Sequence, residues 1–114
     1  MTFRRWDIVS GPFPFVEGHA SKRRPALVVS TDALHRAHRI CFGAMITTAR
    51  HMQDVRQDDI GIADLDAAGL QQPCVIRVVR LATFESGDHI RRVGALQRRE
   101  RPAVATLLQR WFGI

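Results

Sequence analysis

The chain has 114 residues, 46% of them hydrophobic, and carries a formal charge of +6 at neutral pH. This length supports one domain over residues 1–114 with a single core, and the hydrophobic share excludes a wholly disordered chain. An acidic residue and a proline come early and no apolar run approaches the ~18 residues that span a bilayer, so we expect a cytoplasmic protein without a signal peptide.

The first predicted elements are two strands separated by a loop. Residues 7–11 form a strand that the proline-rich segment 12–15 ends, because proline cannot donate a hydrogen bond to a sheet ladder. Residues 16–22 are polar and contain a glycine, which predicts a loop. Residues 26–30 are apolar and rich in valine, and they predict a strong strand.

A short helix, a central strand and a helical turn are predicted for the middle of the chain. Residues 31 and 32 can cap a helical turn that reaches about residue 37. The alternation over residues 40–47 has the period of a strand, and residues 55–62 resemble a weaker one. The segment 64–69 predicts one helical turn with a glycine stop.

The last third of the chain predicts a hairpin and a helix. Strands over 74–84 and 89–96 flank Glu85-Ser86-Gly87-Asp88, which is typical of a turn. An amphipathic helix follows and ends at Gly113; its apolar stripe is Val104, Leu107, Leu108, Trp111 and Phe112. About five strands and one helix indicate a mainly β fold, either a strongly bent antiparallel sheet or a small barrel with the helix over its open side.

The run Lys22-Arg23-Arg24-Pro25 holds the first candidate site residue. Pro25 restricts Arg24 to an extended conformation, so we expect Arg24 where a loop becomes a rigid strand, which is a common place for functional groups. Strand side chains alternate, so Lys22 and Arg24 share one side, while Arg23 points elsewhere and should be the most tolerant of change. A solvated basic turn would have the same sequence, and this interpretation stays open here.

A threonine and two histidines are further candidates. Thr47 ends the central strand, and its hydroxyl can donate to a phosphoryl oxygen, although threonine is also simply a good strand former. The five histidines are expected at the surface. Only His19, in the loop, and His89, at the hairpin turn, lie where a substrate can reach, and His19 is a possible substrate contact or auxiliary base.

Arginine dominates the basic residues, since sixteen of the seventeen are Arg and Lys22 is the remaining one. Guanidinium groups bind phosphate in a fork and stack on bases, which favours an RNA partner. A soluble surface with excess charge is the open alternative. Arg77 and Arg80 lie in the long predicted strand, where their odd spacing places them on opposite faces.

The two cysteines, Cys41 and Cys74, lie in apolar segments and are expected to be buried thiols. A zinc site needs more ligands at close spacing, so we predict no metal and no cofactor.

Several segments, taken in order, carry a family resemblance. They are Arg5-Trp6-Asp7-Ile8-Val9, Pro12-Phe13-Pro14-Phe15, Lys22-Arg23-Arg24-Pro25-Ala26-Leu27-Val28-Val29-Ser30, Ile46-Thr47, Ala68-Gly69-Leu70, Val75-Ile76-Arg77-Val78 and Leu81-Ala82-Thr83. In this order and at this spacing they resemble the MazF/PemK toxin family over nearly the whole chain. The Phe-Pro-Phe element and the paired arginines before proline resemble its PemK-like branch.

The resemblance implies an SH3-like barrel that forms a homodimer with an RNA-binding groove at the dimer interface. It implies a metal-independent endoribonuclease of a type II toxin–antitoxin system, which cleaves single-stranded RNA to 2′,3′-cyclic phosphate and 5′-hydroxyl ends. A small antitoxin with an acidic, flexible tail would silence it. The matching positions make Arg24 and Thr47 the catalytic residues. The candidate substrate-binding residues are His19, Lys22, Arg23, Arg77 and Arg80.

Two positions depart from the family pattern. Trp6 stands where glycine is frequent, which suggests a different packing of the first strand. Val79 stands where an acidic or amide residue is common, which suggests an altered base preference.

Two alternative functions stay open. A CcdB-like gyrase poison has the same fold and ends in a Trp-Gly-Ile-like tail, which the terminal Trp111-Phe112-Gly113-Ile114 resembles. That alternative does not explain Arg24-Pro25. The other is a homologue that binds RNA or its antitoxin without cutting, although both matched catalytic positions are intact.

Overall fold

The computed structural model describes residues 3–14 and 21–114, which form a mainly β structure with a C-terminal helix. One antiparallel sheet contains six strands in the order β4-β5-β3-β2-β1-β6. The strands are β1 Asp7–Pro14, β2 Ser21–Val28, β3 Ile40–Thr48, β4 Ile60–Gly61, β5 Cys74–Glu85 and β6 Arg91–Ala95. The helices are α1 Asp32–His38, α2 Leu65–Ala68 and α3 Arg101–Phe112. No helix in the described ranges is long and apolar enough to cross a membrane.

The sheet curls strongly, as the sequence predicts. Strand β5 is not a neighbour of β1 in the sheet, yet the Phe84 ring meets the Phe13 ring edge-on, with 5.4 Å between centroids. Cβ atoms at Gly11 and Gly43 would lie 3.0 Å and 2.6 Å from the same ring. The ring therefore fills the inside of the curl, and glycine is what lets β1 and β3 approach it.

Two buried clusters hold the sheet together, one on each face. Inside the curl, Phe84 packs with Phe13, Val9, Val28 and Cys41. On the other face, α3 covers the sheet with Val104 and Leu107, which are buried with the following residues of the same cluster: Ile8, Leu27, Ile46 and Ile76. Both Cys41 and Cys74 are buried free thiols, as expected.

The prediction that the prolines end β1 is wrong. Strand β1 continues to Pro14, which pairs with Ser21. The pairing of β1 with β6 stops at Ser10, so beyond that point no strand within the described ranges requires an N–H from either proline on that side. Strand β2 begins at Ser21, so the loop predicted over residues 16–22 ends before Lys22. Residues 16–20 of that loop lie outside the described ranges.

The predicted hairpin is also wrong. Residues Ser86–Asp88 form a 3₁₀ turn, but β6 then crosses to pair with β1 instead of returning along β5. The turn is closed locally, because the Glu85 N–H donates to the Asp88 carboxylate at 2.7 Å. Of the weak strand predicted over 55–62, only Ile60–Gly61 pairs.

The apolar stripe of α3 is shorter than predicted. Val104 and Leu107 are buried, whereas Trp111 and Phe112 are more than half exposed. The last turn of the helix therefore extends beyond the sheet that its first turns cover.

Of the four histidines in the described ranges, one is not at the surface. His35 is 1% exposed. Its Nδ1 lies 2.9 Å from the Phe3 carbonyl oxygen and therefore donates, and its Nε2 is hydrogen-bonded to the Ser30 hydroxyl at 2.6 Å. The Ser30 oxygen in turn accepts the Phe42 N–H at 2.9 Å. This chain of bonds fastens the segment before β1 to α1 and β3.

Trp6 lies just before β1 with φ at 77°, in the left-handed region that favours glycine. Its carbonyl accepts the Leu96 N–H and its own N–H donates to Val28, so the backbone is fixed on both sides. The indole ring packs against the guanidinium groups of Arg5 and Arg101, 4.7 Å and 5.9 Å from its centroid. These contacts hold a bulky residue in a conformation that glycine adopts more easily.

Candidate functional site: an arginine-lined cleft

A cleft of about 430 Å³ opens at one end of the curled sheet. We call it the arginine cleft; its lining is Phe13, Pro14, Arg24, Met45, Arg56, Arg77, Arg80 and Leu81. Half of these residues are arginines, and none of the eight, all within the described ranges, is acidic. The cleft therefore has the charge of an anion-binding site.

Strand pairing places Arg24 in the arginine cleft. Arg24 pairs with Gly11 of β1, in the middle of β2 and not at a loop-to-strand junction, because β1 and β2 are longer than predicted. Arg24 shares its face of β2 with Ala26, which pairs with Met45 of β3. Met45 is itself part of the lining.

The same register brings Thr47 toward Arg24. Ladder pairing of β2 with β3 ends at Ala26 and Met45, and two further residues along each strand are Arg24 and Thr47. Thr47 is half-buried, on the same face of β3 as Met45. Thr47 is not part of the cleft lining, and it lies two residues beyond Met45 along β3. The two matched catalytic positions thus share one face of adjacent strands.

The three cations before Pro25 separate as predicted. Lys22 is exposed on the face of Arg24, although it does not line the cleft. Arg23 points to the other face, where its Nη2 donates to the carbonyl oxygens of Ser10 and His89 at 2.9 Å and 2.8 Å. These bonds tie β2 to the turn before β6, so Arg23 has a structural partner that its sequence position does not reveal.

Arg77 is buried and paired rather than presented to solvent. Its Nε and Nη2 donate to both carboxylate oxygens of Asp59, at 3.1 Å and 2.8 Å, and Nη2 also donates to the Asp54 carbonyl at 3.2 Å. Burial alone would raise the pKa of Asp59, but the hydrogen bonds from Arg77 and from the Arg56 N–H, together with both charges, lower it. The bond with Asp59 raises the pKa of Arg77, outweighing its burial.

The prediction that Arg77 and Arg80 point to opposite faces is wrong, since both line the cleft. The pairing of β5 with β3 shifts between Ala44 and Met45, whose partners are Leu81 and Arg77, so three residues of β5 have no partner there. An irregularity of this kind breaks the two-residue period, and residues three apart can then share a face.

Arg56 is the cleft residue that sequence reasoning missed. It lies between β3 and β4, in a segment predicted as a weak strand. The Arg56–Asp59 turn is closed by two bonds: the Arg56 N–H donates to the Asp59 carboxylate at 2.7 Å and the Asp59 N–H donates to the Arg56 carbonyl at 3.1 Å. In the sequence, Arg56 is marked only by the acidic residues around it. One of these, Asp59, pairs with Arg77 of β5, which lies 18 residues further along the chain.

Of the two candidate histidines, His89 does not line this cleft. His89 is exposed beside the turn before β6, with φ at 53°, and its carbonyl accepts from Arg23. His19 lies outside the described residues. Val79 is 60% exposed in the irregular part of β5, next to Arg80.

Comparisons with known proteins agree with this architecture. A family model described as "PemK-like, MazF-like toxin of type II toxin-antitoxin system" matches residues 4–112. The toxin MazF-mt6 of Mycobacterium tuberculosis has a similar structure, with a TM-score of 0.72 at 23% identity over 95% of this chain and 97% of that one. A MazE-MazF structure from Deinococcus radiodurans gives 0.76 at 17% identity over 100% and 98%.

A third solved structure is titled as an endoribonuclease in complex with its cognate antitoxin from a mycobacterial species. It gives a TM-score of 0.72 at 16% identity over 99% of this chain and 97% of that one. No curated protein sequence matches the chain. At these identities the structural similarity shows the fold, while the family model covers nearly the whole chain.

Proposed function

The chain belongs to the PemK-like, MazF-like toxin family of type II toxin–antitoxin systems, and we propose that it is a metal-independent endoribonuclease that cuts single-stranded RNA. The observation that carries the proposal is the placement of Arg24 and Thr47 on one face of β2 and β3 beside a cleft with four arginines. Guanidinium groups suit a phosphodiester backbone because they bind its oxygens in a fork.

The proposed reaction uses the RNA's own nucleophile. The 2′-oxygen attacks the adjacent phosphorus, the bond from phosphorus to the 5′-oxygen breaks, and the products have a 2′,3′-cyclic phosphate and a 5′-hydroxyl. The proton of the 2′-hydroxyl leaves with a base, and the departing 5′-oxygen gains one. DNA lacks the 2′-hydroxyl, so the reaction itself excludes it.

Arg24 and Thr47 would act on the charge that develops at phosphorus. Two equatorial oxygens gain negative charge in the transition state, and a guanidinium and a hydroxyl held by strands can donate to them without rearranging. One donor of this kind is worth about 3–4 kcal/mol in other enzymes. Arginine is a poor proton acceptor, because its guanidinium group stays protonated in proteins. We therefore keep His19 as the candidate base.

The proposal includes partners. Solved relatives are titled as MazE-MazF and as an endoribonuclease with its cognate antitoxin. By analogy we propose that this chain forms a homodimer in the cytoplasm and is inhibited by a small antitoxin with an acidic tail. Such a tail would compete with RNA, because carboxylates and phosphates both pair with arginine.

The test incubates a long RNA with the purified protein in excess chelator, beside Arg24→Ala. A matched control is Arg36→Ala, which removes an exposed arginine of α1. We expect the native protein and the control to leave cyclic-phosphate and 5′-hydroxyl ends, and Arg24→Ala to leave the RNA intact.

Intact RNA with the native protein would contradict the nuclease. Inhibition of gyrase in a supercoiling assay would then favour the CcdB-like alternative, and binding without cutting would favour a degenerate homologue. Equal cutting by native protein and Arg24→Ala would remove Arg24 from the mechanism.

A further inference from the structure

The Arg77–Asp59 ion pair distinguishes Arg77 from Arg56, although both line the cleft. Arg77 is 7% exposed, and its charge is matched by a carboxylate whose side chain is 1% exposed. Three of the five N–H donors of a guanidinium are used in bonds from Arg77 to the segment Asp54–Asp59. The positive charge of Arg77 is therefore largely compensated within the protein.

The same carboxylate fixes Arg56. One oxygen of Asp59 accepts both from the Arg77 guanidinium, at 2.8 Å, and from the Arg56 N–H, at 2.7 Å. Asp58, inside this turn, has φ at 67°, which shows how tightly the chain is folded there. The buried pair thus anchors the backbone of Arg56, while the Arg56 side chain is exposed and lines the cleft.

We propose that Arg56 binds a phosphate of the RNA next to the one that is cut, and that Arg77 and Asp59 are positioning residues that hold Arg56 at the cleft. This rests on the proposed function and gives Arg77 a positioning role in place of the direct substrate contact predicted from the sequence. A charge fixed by its backbone loses less conformational freedom on binding than one on a mobile loop, so the anchor raises affinity without touching the RNA.

The first experiment measures binding to a fluorescent, fully 2′-O-methylated RNA, which cannot be cut because its nucleophile is blocked. The variants are Arg56→Ala and, as a matched loss of one charge outside the cleft, Arg110→Ala, an exposed residue of α3. We expect Arg56→Ala to weaken binding about tenfold. The slope of log K against log salt should fall in magnitude by about 0.7, the value for one phosphate contact on a single strand.

If Arg56→Ala had the same RNA affinity and the same salt slope as Arg110→Ala, the assignment of Arg56 would be overturned. Failure of the native protein to bind any RNA at low salt would sink the proposed function together with this inference. If Arg24→Ala abolished binding and Arg56→Ala left it unchanged, the proposed function would stand and the phosphate contact assigned to Arg56 would be contradicted.

The second experiment tests the positioning role with Asp59→Asn, made alone and together with Arg56→Ala; circular dichroism first shows that each variant is folded. We expect Asp59→Asn to weaken binding when Arg56 is present and to change nothing when Arg56 is absent. If Asp59→Asn instead disturbed the cleft as a whole, its loss of RNA affinity would add to the loss caused by Arg56→Ala. Tighter binding by Asp59→Asn would show that a released Arg77 contacts RNA itself, and would overturn the proposal.

In cleavage assays on unmodified RNA, Arg56→Ala should raise KM and leave kcat nearly unchanged, because the contact is the same in the ground and transition states. Equal losses in kcat and kcat/KM would place Arg56 at the scissile phosphate and contradict the assignment.

Discussion

Thr47 and Thr48 are adjacent on β3, but they lie on opposite faces of the strand, and Thr48 is exposed. Only Thr47 shares a face with Met45 and the arginine cleft. A valine keeps the shape and strand preference of threonine and removes only the hydroxyl. The pair therefore offers a test of the hydroxyl that leaves the sheet unchanged.

We predict that Thr47→Val lowers kcat about 100-fold with little change in KM, the effect of removing one donor that acts in the transition state. Thr48→Val serves as the control and should retain the native rate. Single-turnover cleavage of RNA measures both. A native rate for Thr47→Val would assign the residue to the strand and not to the chemistry.

Asp59 makes stability depend on pH. Its pKa in the folded protein lies below the ordinary 3.8, because the bonds from Arg77 and the Arg56 N–H outweigh the opposing effect of burial. A carboxyl with a lowered folded pKa stabilises the fold above its unfolded pKa, and this contribution is lost as the pH falls through the folded pKa.

We expect Asp59→Asn to lower the free energy of unfolding by about 3 kcal/mol at neutral pH, since it leaves the buried Arg77 without its counter-charge. The difference between native and variant should shrink as the pH falls below 3.8. Urea unfolding across this range measures it. A difference that is constant with pH would exclude the ion pair as its source.

Single residues were predictable where a neighbour in sequence determines them. Pro25 alone identifies Arg24 as extended, and strand alternation alone separates Arg23 from it. The ion pair of Arg77 was not predictable, because its partner Asp59 is 18 residues away and reaches it only through the fold.

At the scale of elements, the fit of Phe84 of β5 inside the curl depends on Gly11 of β1 and Gly43 of β3. A Cβ at Gly43 would lie 2.6 Å from Cε2 of Phe84 and 3.1 Å from Cβ of Ala26, closer than packed atoms tolerate. Gly61 of β4 offers the contrast, because a Cβ there meets nothing within 4 Å.

Gly43→Ala should lower the free energy of unfolding by about 2 kcal/mol, the usual cost of overpacking a core. Gly61→Ala should be neutral or slightly stabilising, because alanine restricts the unfolded chain. Thermal unfolding compares the two. Equal melting temperatures would show that the Phe84 ring can move without cost.

The elements were predicted well where their signals are local. The period of β3, the caps of α1 and α2 and the glycine after α3 were all found in the structure. The hairpin was predicted wrongly because a turn sequence specifies a reversal but not the partner of the next strand. The extent of β1 was missed because the tolerance of Pro12 and Pro14 depends on where β6 stops.

At the scale of the whole molecule, the net charge is +6, and four of the arginines line the arginine cleft. Arg77 is paired with Asp59, and the proposal assigns phosphate contacts to three other arginines of the cleft: Arg24, Arg56 and Arg80. Binding that releases counterions from about three phosphates of a single strand gives a slope of log K against log salt of about −2.

We therefore predict that affinity for RNA falls linearly with salt on a logarithmic scale at about this slope. Fluorescence anisotropy at several salt concentrations measures it. A flat response would contradict a cationic cleft, and a much steeper one would require phosphate contacts over a wider surface or from a second protomer.

The fold as a whole was predictable in class, since a bent antiparallel sheet with a C-terminal helix follows from strand count and helix position. The cleft was predictable only in part. Arg24 and Thr47 come from short motifs, whereas Arg56 and the common orientation of Arg77 and Arg80 depend on a turn and a register shift that no periodicity in the sequence shows.

The two buried thiols give the protein an internal reporter. Burial, aided by the negative charge of Asp88 and only partly offset by the N-terminus, raises the pKa of Cys41 to about 11, so the reactive thiolate is scarce at neutral pH. Cys41 is fully buried and pairs with Phe84 across β3 and β5, so a thiol reagent reaches it when the structure around it opens. The rate at which a thiol reagent labels Cys41 therefore measures how often this part of the sheet opens. A ligand that binds in the cleft and stabilises the sheet should slow the labelling, so binding can be followed without attaching a dye or tag to the protein.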